Sequence, residues 1–200
     1  MFKRGLDLLC AVVGLLLLSP LFLVVALCVR ADSPGPVFFR QERVGRGGKV
    51  FRIHKFRTMV VDAPSLGPGL TVGEDARITR IGRWVRRTKI DELPQLLDVL
   101  GGRMSLVGPR PELPRYVSSY PPALRELLLG VRPGITDPAS LRYADEASLL
   151  AAAADPERAY REVLLPAKLQ VSADYLRRAT LASDLAVLAR TVALLVRRRG

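Results

Sequence analysis

From Leu8 to Val29 the chain reads LLCAVVGLLLLSPLFLVVALCV, about 22 residues without a charge, long enough to cross a bilayer as one helix. A secretory signal peptide fits this run poorly. Lys3 and Arg4 precede it, but it is long for an h-region and no small-x-small cleavage site follows. A lipoprotein site at Cys28 also fits poorly, because Leu27 stands where a small residue is needed. The segment is expected to stay.

Ser19-Pro20 sits at its middle. Pro20 has no N–H and its ring clashes with the carbonyl of Leu16, so a kink or break is expected there. In lipid the freed carbonyl needs another donor, and the Ser19 hydroxyl is a nearby one. Two arrangements fit: a kinked spanning helix, and a re-entrant helix that turns back. Lys3 and Arg4 flank one end, and Arg30, Arg40 and Arg43 follow the other. Positive charge favours the cytoplasmic side, which tilts the choice toward a re-entrant helix with both ends there.

The 200 residues suffice for one domain, and 49% hydrophobic residues build a real core. A formal charge of +12 implies anionic partners: nucleic acid, acidic lipid or phosphorylated small molecules. Cys10 and Cys28 both lie in the apolar run, so neither a disulfide framework nor a cysteine metal site is expected. His54 has no nearby partner signature, which argues against a histidine triad or a zinc site.

Val37–Val44 and Lys49–Met59 read as strands around Gly45-Arg46-Gly47-Gly48, a hairpin. GRGGK lacks the Walker spacing and reads as a turn. A Pro/Gly-rich loop covers Pro64 to Gly73. Arg80, Arg83, Arg86 and Arg87 then recur at helical spacing, giving one cationic face. Trp84 lies among them, but the segment matches no nucleic-acid reading motif, and no nucleic acid is expected. Ile90–Leu100 is helical up to Gly101-Gly102. Met104–Pro111 and Val131–Thr136 read as rigid turns, the first presenting Arg110. Glu146–Leu165 reads as helix, with a long helix from Pro166 onward. In that last segment Leu181, Leu185, Leu188, Val192 and Leu195 form an apolar stripe before Arg197-Arg198-Arg199, suited to core packing or to a membrane surface.

The chemistry centres on Thr88-Lys89-Ile90-Asp91-Glu92-Leu93-Pro94-Gln95. One reading is purely structural: Thr88 and Asp91 resemble a capping box, and Asp91 caps a helix whose first turn tolerates Pro94. The other is catalytic. Near a helix start two adjacent carboxylates reach one site, one to bind a metal and one to attack phosphorus as a covalent nucleophile. A ring of arginines is expected to keep the attacking carboxylate's pKa low and, with magnesium, to neutralise a diphosphate.

KFRTM (Lys55 to Met59), DARITRIGRWVRRTKIDELPQL (Asp75 to Leu96), GRMSLVGPRPE (Gly102 to Glu112) and RPGIT (Arg132 to Thr136) closely resemble the bacterial sugar transferases, the monotopic polyprenol-phosphate phosphoglycosyl transferases. The likeness runs in order through about residues 1 to 136, the Ser-Pro break included. It implies an aspartate, here Asp91, that attacks the β-phosphate of a nucleotide diphosphosugar, usually a uridine one. Uridine monophosphate leaves, and polyprenol (undecaprenyl) phosphate then takes the phosphosugar from the aspartate. It further implies that Glu92, with Asp91, is associated with Mg2+. Lys55, Arg57, Arg86 and Arg110 match motif positions suited to phosphate contact, and Ser19-Pro20 matches the point where the membrane helix turns back. The protein is expected on the cytoplasmic face of the bacterial inner membrane, among membrane lipids, initiating surface-glycan synthesis.

The implied fold is α+β. A re-entrant membrane helix (1–32) is continuous with one membrane-associated catalytic region (33–200), built of a small β-hairpin and several helices, some amphipathic and lying on the membrane surface. Two departures stand out. Asp137-Pro138-Ala139-Ser140 follows RPGIT where many relatives have a glycine and a Trp/Gln-containing segment, and the extra N-terminal membrane helices of larger relatives are not present, so a minimal catalytic unit is expected. The competing reading is a non-catalytic basic adaptor that binds anionic lipid or nucleic acid at the membrane surface; it explains the charge and the anchor but needs no Asp-Glu pair.

Overall fold

In the computed structural model, which describes residues 2–63, 65–67, 71 and 75–197, the apolar run lies within one helix, α1 (Phe2–Asp32). Most of the expected loop from Pro64 to Gly73, and Arg198 and Arg199, lie outside the described residues. Among the described residues α1 is the one helix long and apolar enough to cross a membrane. Its two faces differ. Ala11, Val25 and Val29 are buried, whereas Leu9, Leu16, Leu17, Leu23 and Leu27 point outward, Leu17 at 75% exposure. The chain stays helical through Pro20, so the expected break is not an interruption of the helix. Pro20 cannot donate to the Leu16 carbonyl, and the Ser19 hydroxyl does so at 2.8 Å, the local repair that an apolar surrounding requires.

Both ends of α1 are fastened to the body. At the first end Arg4 donates to the carbonyls of Val99 (2.7 Å) and Met104 (3.3 Å). Buried Asp7 accepts from the Ser105 hydroxyl at 2.8 Å and the Leu106 N–H at 3.1 Å. At the other end Asp32 accepts from the Ile81 N–H at 2.9 Å. The helix would measure roughly 46 Å if straight, so these tethers hold it at two points far apart.

The expected hairpin forms, but its second strand ends at Phe56, three residues short of the expected Met59. Strands β1 (Phe38–Val44) and β2 (Val50–Phe56) pair antiparallel from Phe38 opposite Phe56 to Val44 opposite Val50. Helix α2 (Arg80–Arg87) follows. Ile90–Gln95 is a tight 3-10 helix leading into α3 (Leu96–Leu100). The expected turns at Met104–Pro111 and Val131–Thr136 each contain a short strand. These are β3 (Ser105–Val107) and, beyond helices α4 (Pro114–Val117) and α5 (Pro122–Leu129), β4 (Gly134–Thr136). They pair in parallel, Ser105 opposite Gly134 and Val107 opposite Thr136. The approach demands glycine: a Cβ on Gly134 would sit 2.1 Å from the Gly108 nitrogen.

The rest is helical: α6 (Pro138–Arg142), α7 (Glu146–Ala151), α8 (Pro156–Ala159), a π-helical turn (Tyr160–Leu164), α9 (Leu165–Leu176) and α10 (Leu181–Arg197). The two long helices expected here are broken, and caps explain where. Asp155 accepts from the Arg158 N–H at 3.0 Å ahead of Pro156, which starts a new helix. Thr180 and Ser183 exchange backbone and hydroxyl bonds of 2.8 and 3.1 Å, a reciprocal cap that starts α10. Helix α10 buries Asp184 and Val187, packs Leu188 of the expected stripe against the core, and turns Leu181, Leu185 and Val192 of that stripe outward.

Three apolar clusters hold the elements together. One joins the first half of α1 (Ala11, with Leu15 and Leu18) to Ile53, Leu96, Val99, Met104 and Val187. A second joins its latter half (Val25, Val29) to Phe56, Val85 and Ile90. The third lies away from α1, around Tyr116, Tyr160, Leu165 and Leu169. The 3-10 helix Ile90–Gln95 is thus wedged between α1 and the hairpin.

Candidate active site

Four segments build the site around Asp91 and Glu92, two of them bringing a cation into contact with Glu92. Strand β2 brings Lys55, whose Nζ lies 2.8 Å from Glu92 Oε1. The turn after β3 brings Arg110, which grips both Glu92 oxygens, Nη1 to Oε2 at 3.1 Å and Nη2 to Oε1. The 3-10 helix carries Asp91 and Glu92 in its first turn. Helix α2 brings Arg86, held by Thr58 Oγ1 at 2.8 Å and Thr71 Oγ1 at 3.2 Å. The placement of α2 depends on Gly82, where a Cβ would meet the Thr58 carbonyl oxygen at 2.0 Å.

The joint between α2 and the dyad is strained. Lys89 takes φ +58°, the one non-glycine residue with positive φ among those described. A side chain there costs roughly 1–3 kcal/mol. It lets the chain leave α2 and re-enter helix at once, with the Glu92 N–H bonded to the Lys89 carbonyl at 3.2 Å. The capping-box reading fails. The Thr88 hydroxyl bonds back to the carbonyls of Trp84 and Val85 at 2.9 and 3.1 Å, and no side chain caps the 3-10 helix.

Asp91 is buried, 8% exposed, and its Oδ1 has no hydrogen-bond partner among the described residues. Burial and the neighbouring Glu92 charge push its pKa up to about 6 against the pull of Lys55, Lys89 and Arg86. That corrects the expectation of an arginine-lowered value. Lys55 and Arg110 neutralise Glu92 instead: burial alone would raise the Glu92 pKa, yet Arg110 and Lys55 hold it well below the usual carboxylate range. Burial pushes Lys55 and Arg86 down, and Glu92 and Asp91 respectively lead the opposition. The Glu92 carboxylate, drawing on its charge, pushes Arg110 upward.

Arg57 is not in this group. Its guanidinium donates to the Pro36 carbonyl (2.6 Å), Ser33 Oγ (2.6 Å) and the carbonyls of Ser33 (2.8 Å) and Val29 (3.4 Å). It closes the end of α1, where helix carbonyls lack partners. Arg80, Arg83 and Arg87 are exposed on α2, and only Arg86 of that basic face turns inward.

Sequence reasoning missed a second polar layer. Arg43, in the sequence only a flanking charge, donates to the Pro111 carbonyl at 3.2 Å and approaches Glu112 at 3.7 Å, bracing the turn that presents Arg110. Its Nε is buried without a partner among the described residues, as is Gln95 Nε2 in the 3-10 helix. His54 does have a partner: its Nδ1 is 2.9 Å from Asp98 Oδ1. No local signal marks a pair 44 residues apart.

Among the described residues no group of three or more His, Cys, Asp or Glu is placed to hold a metal. Magnesium, however, is commonly held by one or two carboxylates together with a substrate's phosphates. The unpartnered Asp91 oxygen suits that mode, with Glu92 as a second donor once its cations are otherwise engaged. The donor set therefore fits magnesium that is shared with a diphosphate.

The chain belongs to the bacterial sugar transferase family, whose sequence model matches residues 1–198. It is 45% identical over 136 residues to the UDP-N-acetylgalactosamine-undecaprenyl-phosphate N-acetylgalactosaminephosphotransferase of Aeromonas hydrophila, covering 67% of this chain and 32% of that protein. It is 52% identical over 114 residues to the undecaprenyl-phosphate glucose phosphotransferase of Komagataeibacter xylinus, covering 56% and 21%. With the UDP-glucose:undecaprenyl-phosphate glucose-1-phosphate transferase of Caulobacter vibrioides it shares 44% identity over 144 residues, 70% and 53% of the two chains. The chain thus spans from about a fifth to about half of the length of these relatives.

Proposed function

We propose that this chain transfers a sugar-1-phosphate from a uridine diphosphosugar to undecaprenyl phosphate through a covalent intermediate on Asp91, the first step of a bacterial surface glycan. The observation that carries this reading is a buried carboxylate oxygen without a partner among the described residues, beside a second carboxylate clamped by Lys55 and Arg110. Buried polar groups are nearly always paired; an exception at a cationic site points to a reacting group. A basic adaptor at the membrane surface has no use for it. The relatives named above act on undecaprenyl phosphate by name, which supports the acceptor.

In the first step an Asp91 carboxylate oxygen attacks the β-phosphorus. The bond from that phosphorus to the oxygen bridging the two phosphates breaks, and uridine monophosphate leaves with the electron pair. In the second step an oxygen of the lipid phosphate attacks the same phosphorus, the bond to Asp91 breaks, and the carboxylate is restored. Neither step needs a proton from the protein, which suits a site without a histidine. Lys55, Arg110 and Arg86 bind and orient the diphosphate and oppose the charge that builds on it. Asp91 and Glu92 would hold magnesium, which supplies further charge neutralisation to the leaving phosphate.

The acceptor's phosphate lies at headgroup depth, and the fold suits work there. Both ends of α1 are tied to one body and its other face is apolar, which supports a helix that enters the membrane without leaving an end on the far side. The positive flanks favour the cytoplasmic face. Incubation with uridine diphosphosugars, magnesium and undecaprenyl phosphate should release uridine monophosphate, and a panel of such sugars identifies the donor. Asp91→Asn should abolish release, with a phosphosugar adduct detectable by mass spectrometry on the unmodified protein alone. Normal turnover by the variant removes Asp91 as nucleophile.

A further inference from the structure

Lys55 and Arg110 are the cations best placed to receive a diphosphate, yet both are engaged by Glu92. The fork of an arginine grips a carboxylate and a phosphate in the same two-pronged way. The Glu92 carboxylate therefore occupies the anion position of its own binding site. At the same time Asp91 Oδ1 is buried without a hydrogen-bond partner among the described residues, and one carboxylate oxygen is too little for a magnesium site made of protein alone.

We propose that Glu92 is a resident stand-in for the donor's phosphate. The incoming diphosphate takes over Lys55 and Arg110, and the released Glu92 carboxylate joins Asp91 facing a divalent cation, so the metal site is completed only when the nucleotide is bound. This rests on the transferase reading above.

Charge balance supports it independently. The two carboxylates Asp91 and Glu92 are matched by the two cations Lys55 and Arg110, with Arg86 close by. A divalent cation alone adds positive charge beside those cations. A diphosphosugar alone adds two negative charges beside the carboxylates. Together they add none, and in a buried site an unbalanced charge is heavily penalised. Each ligand thus removes the obstacle to the other, and the coupling is necessarily reciprocal.

The test is manganese binding to the full chain in nanodiscs, read by the electron paramagnetic resonance of free Mn2+, with and without a uridine diphosphosugar and corrected for the Mn2+ that the nucleotide holds without protein. The diphosphosugar should tighten Mn2+ binding at least tenfold beyond that correction, and Mn2+ should tighten the nucleotide by the same factor, within the roughly 5–150-fold span of such couplings. In Glu92→Gln the cations lack their resident counter-charge. Metal-free nucleotide binding should then strengthen about tenfold while the coupling collapses. Glu92→Asp, too short to span both cations, should move the same way by less, should the glutamine variant fold poorly. Equal Mn2+ affinity with and without the nucleotide overturns the inference. Where the unmodified protein still releases uridine monophosphate, that result leaves the transferase reading standing; loss of both removes the two together.

Discussion

The segment Ile90–Leu100 carries a buried aspartate near each end, and the two are treated in opposite ways. Asp98 is fully enclosed and fully partnered. Its Oδ2 accepts from the His54 N–H at 2.8 Å, and its Oδ1 meets His54 Nδ1 at 2.9 Å and Arg103 Nε at 3.0 Å. It fastens strand β2 to α3. Asp91, one side chain of the same type seven positions earlier, keeps an oxygen without a partner among the described residues. Burial alone therefore does not mark a functional acid, since both are buried. What separates them is whether the surrounding chain has already supplied the partners. Where it has, the carboxylate is a fastener; where it has not, a carboxylate oxygen is left over for a ligand to engage.

The sharpest way to break that contrast is to remove each carboxylate in turn. Asp91→Asn should reduce uridine monophosphate release by at least roughly 1,000-fold, as loss of a covalent nucleophile does, with the fold intact by circular dichroism. Asp98→Ala should do the reverse. It leaves the His54 N–H and Arg103 without their buried acceptor, and should cost about 3 kcal/mol of stability in urea unfolding. Its folded fraction should keep activity within tenfold. An Asp98→Ala protein of normal stability but no turnover would erase the distinction. A smaller effect, about 2 kcal/mol, is expected for Arg57→Met, because several carbonyls at the end of α1 lose their donor. Faster proteolysis between residues 30 and 36 should report it. The Michaelis constant for the donor should hardly move; a large rise would return Arg57 to the phosphate site.

How much of this is legible in the sequence follows from the range of each interaction. The apolar run, the hairpin and the helical turn at Ile90 are local patterns, and the structure has all three. The dyad, Lys55 and Arg110 are legible as short motifs, though not that they meet on Glu92. Arg57 misleads for a definable reason. It lies two residues after Lys55, the spacing that shares a strand face, but β2 ends at Phe56 and the alternation lapses before reaching it. The parallel pair β3–β4 joins two three-residue strands far apart in the chain, too short to show any periodicity. The pKa of Asp91 departs from expectation because counting nearby arginines does not reveal which carboxylate they bind. Glu92 holds both Lys55 and Arg110.

That last point yields the subtlest expected effect. An Asp91 pKa pushed from its ordinary value up to about 6 means that folding favours the protonated acid. Stability from this group is present at low pH and is lost as pH rises through 6. Above that, ionised Asp91 weighs against the fold. The shift corresponds to about 3 kcal/mol at 1.36 kcal/mol per pKa unit, of which about half survives replacement by asparagine, itself polar and buried. Asp91→Asn should therefore melt higher than the unmodified protein at pH 8, in chelator, by about 1–2 kcal/mol of stability, and lose most of that advantage by pH 5. Asp98→Asn should show no such gain at either pH, because its carboxylate is held by donors rather than merely enclosed. A variant at position 91 that is destabilised equally at both pH values would mean that Asp91 is as well partnered as Asp98, and the reason for singling it out as the reacting group would be gone.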